Sequence, residues 1–135
     1  MTDKISQTLL YQRIRNRIIE YFEATSSYEE QLAYEARVPM VFVPNEVINE
    51  WEDWFRREYL PDYVEPIFSK EEQESLGNFD QIWLSVVDDT PNPLPKLTDL
   101  IGTEPWERLR VAAEEALNVF RVRGMFDEER EEFLN

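Results

Sequence analysis

The sequence predicts an all-α protein, an irregular bundle of five or six helices around one core, with residues 1–135 as a single domain. Three observations carry that expectation. Apolar residues recur at three- and four-residue spacings over long stretches. Helix-start signals of the Ser-x-x-Glu kind stand before two of these stretches, and proline or glycine closes most of them. The large side chains a packed core needs are present, with four Trp, six Tyr and eight Phe.

The first helix is expected over Ile5–Phe22, where Ile5, Leu9, Ile14, Ile18, Ile19 and Phe22 share helical spacing. Thr2 is placed to cap it, and Gln12, Arg13, Asn16 and Arg17 form its exposed side. Ser27 followed by Glu30 reads as a capping box opening a helix over Tyr28–Arg37, with Leu32 and Ala36 facing inward. Pro39 and Pro44 bracket Met40–Val43, which reads as a buried extended linker. Asn45 is the expected cap of a third helix, with Val47, Ile48, Trp51, Trp54, Phe55 and Tyr59 on one face and Glu46, Asn49, Glu50, Asp53 and Arg57 opposite. That helix ends before Pro61, and Tyr59–Pro66 reads as a stiff loop.

Ser69 with Glu72 forms a second capping box and opens a short acidic helix expected to stop near Gly77. Phe79, Ile82, Trp83, Val86 and Val87 then set out another helix, ended by the proline-rich loop Asp88–Pro95. One turn is expected over Thr98–Ile101, closed by Gly102. Thr103 caps the next helix, Pro105 sits in its first turn, and Trp106, Leu109, Ala112, Ala113, Ala116, Leu117 and Phe120 form its buried stripe up to Gly124. A last acidic helix is expected over Asp127–Leu134.

Charge narrows the functional classes. The chain has 29 acidic and 14 basic residues and no His, a net charge of −15. Residues 1–19 carry Lys4, Arg13, Arg15 and Arg17 against Asp3, a local net of +3, while residues 20–135 carry ten basic and 28 acidic residues, a net of −18. Such a surface repels phosphate, so nucleic acid and anionic membranes are not the expected partners. It attracts a basic protein from a distance; the plainer reading is solubility. The clustered arginines are expected to pair internally with the acidic body.

The same residues exclude much chemistry. Without Cys or His, thiolate catalysis, Ser-His-Asp catalysis and thiolate or imidazole metal ligation are ruled out. Glycines only at 77, 102 and 124 leave no phosphate-cradling loop, and no EF-hand pattern occurs. No catalytic residue, metal or cofactor is expected. Absence of cysteine and an acidic surface fit a reducing cytoplasm; no apolar h-region follows Met1, and no apolar run reaches bilayer length. Glu46, Glu50 and Asp53 share one helix face and invite an acid–base or metal reading, but a solvated face partly paired with Arg57 is the simpler expectation. Asp127–Glu132 likewise reads as solvated, and Trp51, Trp54, Trp83 and Trp106 as core.

Two proline-stiffened acidic loops remain as candidate contacts for a basic partner, and the expected binding rim is Tyr59, Asp62, Tyr63, Glu65, Asp88 and Asp89. The segments Val43–Trp51, Phe68–Glu72 and Pro105–Gly124, set in a short acidic helical chain, resemble the immunity proteins of bacterial contact-dependent inhibition and related polymorphic-toxin systems. The resemblance implies an inhibitor that blocks a cationic toxin partner, and it carries over no individual functional residue. The alternative expectation is an adaptor or structural subunit of a larger assembly, using exposed aromatic side chains on a helix face.

Overall fold

The computed structural model describes residues 6–133, and among them are six α-helices, one 3-10 turn and no strand. The protein is all-α, as its periodicity predicts. The helices are α1 (Gln7–Thr25), α2 (Tyr28–Arg37), α3 (Val43–Trp54), α4 (Lys70–Asp89), α5 (Leu97–Leu100) and α6 (Glu104–Arg121), with the 3-10 turn Arg57–Asp62 between α3 and α4.

Helix starts follow the supply of acceptors for free N–H groups. The Ser6 hydroxyl accepts from the Leu9 N–H at 3.1 Å and caps α1; Thr2 and Ile5, expected in this role and on this stripe, lie outside the described residues. Ser27 accepts from the Glu30 N–H at 3.1 Å, and Ser69 and Glu72 form a reciprocal capping box at 3.2 and 2.9 Å. α3 begins at Val43, not behind an Asn45 cap: Phe42 precedes it without a side-chain bond and Pro44 fills the first turn. Proline suits that place because its missing N–H has no helical acceptor there. Thr103 does not cap α6 either, since its hydroxyl donates back to the Leu100 carbonyl at 2.7 Å.

Helix ends depart further from expectation. α4 passes through Gly77 as one 20-residue helix. Leu76, Phe79, Trp83 and Val86 keep a single buried stripe across the glycine. A helical glycine costs about 1 kcal/mol, less than the roughly 1.5–3 kcal/mol from burying any one of those side chains. α3 instead stops at Trp54 and continues as extended Phe55 and Arg56, so Tyr59 leaves the buried face and is 52% exposed in the 3-10 turn. Gly124, at φ 74°, follows α6 as a left-handed turn residue. Beyond it, residues 124–133 form an irregular strap where an acidic helix was expected over Asp127–Leu134.

α4 and α6 run antiparallel: Arg123 meets Glu72 at one end and Arg108 meets Asp89 at the other. α1 packs against α6, and α3 closes the aromatic core, where the Trp51 ring lies 4.6 Å from Phe79, 4.9 Å from Phe55 and 5.6 Å from Phe22. Buried indoles keep their N–H groups paired: Trp51 donates to Asp80 at 2.9 Å, Trp83 to the Ile48 carbonyl at 3.0 Å and Trp106 to Gln31 at 3.0 Å. Trp54 is only half-buried. Gln31 is the buried residue of α2, whereas Leu32 and Ala36, expected inward, are exposed. The expected buried linker also fails: Met40 and Phe42 are exposed, and Val43 alone is buried, as the first residue of α3.

The polar side of α1 faces the strap, not solvent. Gln12 and Asn16 are buried. Gln12 donates to the carbonyls of Asp127 and Arg130 at 2.7 and 2.8 Å and accepts from the Glu132 N–H at 2.8 Å. Asn16 donates to the Phe126 carbonyl at 2.8 Å and accepts from its N–H at 2.9 Å. A segment without regular structure must find partners for its backbone elsewhere, and these amides, four residues apart on one face, supply them. Arg13 and Arg17 are half-exposed and bind Glu128 of the strap, through its carbonyl and its carboxylate respectively.

Arg15 is fully buried. It grips the Glu72 carboxylate with two bonds at 2.6 and 2.9 Å and donates to the carbonyls of Ile67 at 2.9 Å and Gly124 at 3.0 Å. Arg123 adds a bond to Glu72 at 2.7 Å. Burial disfavours the charged form of Glu72, but the bonds from Arg15, Arg123 and the Ser69 N–H outweigh it and hold the carboxyl at about 2. The expected internal pairing of the arginines therefore holds, with one pair in the interior.

Candidate protein-interaction surface

The two expected contact segments flank α4 in the sequence. Tyr59, Asp62, Tyr63 and Glu65 precede its start, whereas Asp88 and Asp89 are its last two residues. Arg57, at the start of the 3-10 turn, binds Asp80 of α4 at 2.6 and 2.8 Å, so that turn lies beside the middle of the helix. Asp88 and Asp89 belong to the helix, not to a loop, and Asp89 is held by Arg108 at 2.8 Å.

Tyr63 is a core residue, only 3% exposed. Its hydroxyl donates to the Trp54 carbonyl at 2.7 Å and accepts from the Arg56 N–H at 3.0 Å. Its ring meets Tyr11, Phe55 and Phe68 at 5.3–5.4 Å. It anchors the turn from beneath and offers no surface to a partner. Tyr59, Asp62 and Glu65 remain exposed on that turn. Asp62 accepts from the Tyr11 hydroxyl at 3.3 Å; burial first, then the neighbouring Asp62 charge, push that hydroxyl up to about 12.

The distribution of ion pairs shows where acidic charge stays free. Arg13, Arg15, Arg17, Arg56, Arg57, Arg108, Arg110 and Arg123 all enter ion pairs. Arg57 binds Asp80 and Glu52, not the Glu46–Glu50–Asp53 face for which it was expected. Among the described residues, no ion pair includes Glu46, Glu50 or Asp53, nor Glu71, Glu74 or Glu115.

These unpaired carboxylates border two concavities. Glu46 and Glu50 line a recess of about 360 Å³ between α1, α2 and α3, with Tyr34 and Trp54 also on its walls. Burial first, then repulsion from Glu46 and Asp53, raise the Glu50 carboxyl above its ordinary value. That face is therefore less solvated than its sequence pattern implies. Among the described residues, no group of three or more carboxylates is arranged to hold a metal ion.

The second concavity is a trough between α4 and α6, made of two adjoining hollows of about 340 and 370 Å³ that share Ile82, Ala112 and Glu115. α4 contributes Glu71, Glu74, Asn78 and Ile82, and α6 contributes Val111, Ala112, Glu115 and Val119. Both sets recur at three- and four-residue spacing, so each is one stripe of its helix. Sequence reasoning missed this surface. Ala116 is buried as expected, whereas Ala112 is only partly buried, and the signal that could have found the surface is Glu115 set among Ala112, Ala116 and Val119 on the outer side of that stripe.

No described helix is long and apolar enough to cross a membrane. Comparison with known proteins finds no matching family, no matching curated sequence and no matching solved structure.

Proposed function

We propose that this chain is a non-catalytic, acidic binding protein of the immunity type, which captures a cationic protein partner such as a toxin domain and blocks it. The observation that carries this reading is the partition of charge. Eight of the eleven arginines are spent on internal pairs, while carboxylates on α3, α4 and α6 stay unpaired beside open concavities. A net charge of −15 steers a basic protein toward the surface and repels nucleic acid and anionic lipid. The exposed turn with Tyr59, Asp62 and Glu65 adds an aromatic and two carboxylates to that surface.

Capture from host lysate at low and then high salt, read by mass spectrometry, tests the reading. One basic protein recovered in near-equal amount, and released as salt rises, is expected. Recovery of no basic protein overturns it. A second reading, a subunit of a larger assembly, draws on the α2–α3 turn, where Met40 is 90% exposed and Phe42 41%. A stable homo-oligomer in light scattering, lost in Met40→Ser with Phe42→Ser, would favour it.

A further inference from the structure

Resting on that reading of a cationic partner, we propose that the α4–α6 trough is the docking surface for a basic amphipathic helix of the partner. Its floor is apolar, formed by Ile82, Val111, Ala112, Ala116 and Val119. Ala112 and Ala116, one turn apart, leave a furrow into which a ridge of helical side chains can settle at ordinary interhelical distance. The rim is acidic on both sides, with Glu71 and Glu74 on α4 and Glu115 on α6, none of them in an ion pair. Lysines or arginines flanking an apolar stripe complement that pattern.

A helix fits better than a strand. The trough walls are two helices whose backbone groups are bonded within themselves, so they offer no ladder to an extended chain, whose own N–H and C=O groups would be left unpaired. A helix arrives with its backbone already satisfied and buries only side chains. The trough follows α6 from Glu104 to Val119, a span of about 24 Å, enough for about four turns of partner helix. Arg108 is the basic side chain at one end of the trough, and it is tied back to Glu104, Asp89 and the Ser85 hydroxyl. A second copy of this chain is a poor occupant, because its acidic surface would meet an acidic rim.

The probe is an 18-residue Lys/Leu amphipathic peptide, with a Glu/Leu peptide of the same pattern as control, titrated into the full chain and followed by amide chemical shifts and fluorescence anisotropy. Shifts confined to the α4 and α6 stripes are expected, and no binding of the Glu/Leu peptide. Neutralising the rim with E71Q, E74Q and E115Q should weaken affinity about tenfold, the sum of three modest rim pairs. Ala112→Arg should weaken it further by filling the furrow. The triple variant E23Q, E29Q and D99N, on exposed positions outside the trough, should stay within about twofold of the parent. Equal weakening by both triple variants, or shifts mapping elsewhere, would overturn the docking surface while leaving a charge-driven capture protein in place. No peptide binding at all would also overturn it, and the lysate capture then decides the wider reading independently.

Discussion

The two halves of α1 face different partners and are held by different forces. Ile18, Ile19, Tyr21 and Phe22 are buried among rings, with Phe22 5.0 Å from Phe79 and 5.8 Å from Phe120. Gln12, Arg15 and Asn16 are equally buried, yet their polar atoms meet carbonyls, N–H groups and the carboxylates of Glu72 and Glu128, with the Arg15 guanidinium also lying 4.2 Å from the Phe126 ring. In the first half of the comparison, removing apolar surface from water does the stabilising, without strong demands on direction. In the second, each polar atom needs its partner in place, because a buried group left unpaired costs more than its bond contributes. Equal burial on one helix therefore rests on unequal tolerance to change.

Four variants sharpen or break that contrast. The largest effect is expected from Trp51→Ala in the aromatic half. Trp51 is fully buried, and its truncation should cost about 3–5 kcal/mol in urea unfolding. A loss below about 1 kcal/mol would show that the aromatic cluster does not hold this half.

Next comes Glu72→Gln, at about 2–3 kcal/mol, since it leaves Arg15 buried without its countercharge. Its pH dependence identifies the mechanism. Folding lowers the Glu72 carboxyl from an ordinary 4.5 to about 2, so its contribution is complete above about 4.5 and is lost as pH falls toward 2. The stability gap between parent and variant should close over that interval. A gap that persists unchanged at pH 2 would rule out the charge as its source.

Asn16→Ala should cost about 1–3 kcal/mol and act locally. The Phe126 amide, which it holds at 2.9 Å, should lose hydrogen-exchange protection while near-ultraviolet dichroism of the aromatic core persists. Loss of both together would mean that the strap and the core unfold as one unit.

The smallest effect, with opposite sign, is expected for Glu50→Gln. Burial, Glu46 and Asp53 raise its carboxyl, so its ionisation at neutral pH costs the folded state. Neutralising it should raise the melting temperature slightly at pH 7. The gain should vanish in acid, where Glu50 is protonated in folded and unfolded chains alike.

Most of the aromatic core was legible from spacing, although Tyr63 was read as surface and Trp54 and Tyr59 as buried. Ile18, Ile19, Phe22, Trp51, Phe79, Trp83, Trp106 and Phe120 were all placed in the core by spacing, and all are buried. The polar half was not, because periodicity detects apolar side chains only. Gln12 and Asn16 look like a solvated face until a strap more than 100 residues later in the chain lies across them. The candidate site suffered similarly. Tyr63 carries a hydroxyl and neighbours acidic residues, which reads as surface, but Trp54 and Arg56 take up that hydroxyl in the interior. Gly77 looked like a stop, but the stripe on either side of it was strong enough to carry one helix through.

Local chemistry was thus enough to settle the all-α class, the caps at Ser27 and Ser69, and much of the helical core stripes, because each depends on neighbours within about a helical turn or on the transfer of apolar surface. Long-range packing alone decided the rest: the burial of Arg15 on Glu72, the strap across α1, the burial of Tyr63, and the opening of an apolar trough between α4 and α6. Those features join residues 50 to 120 positions apart or depend on which helices lie side by side, and a polar group's burial follows from where its partner arrives, not from its own sequence neighbours.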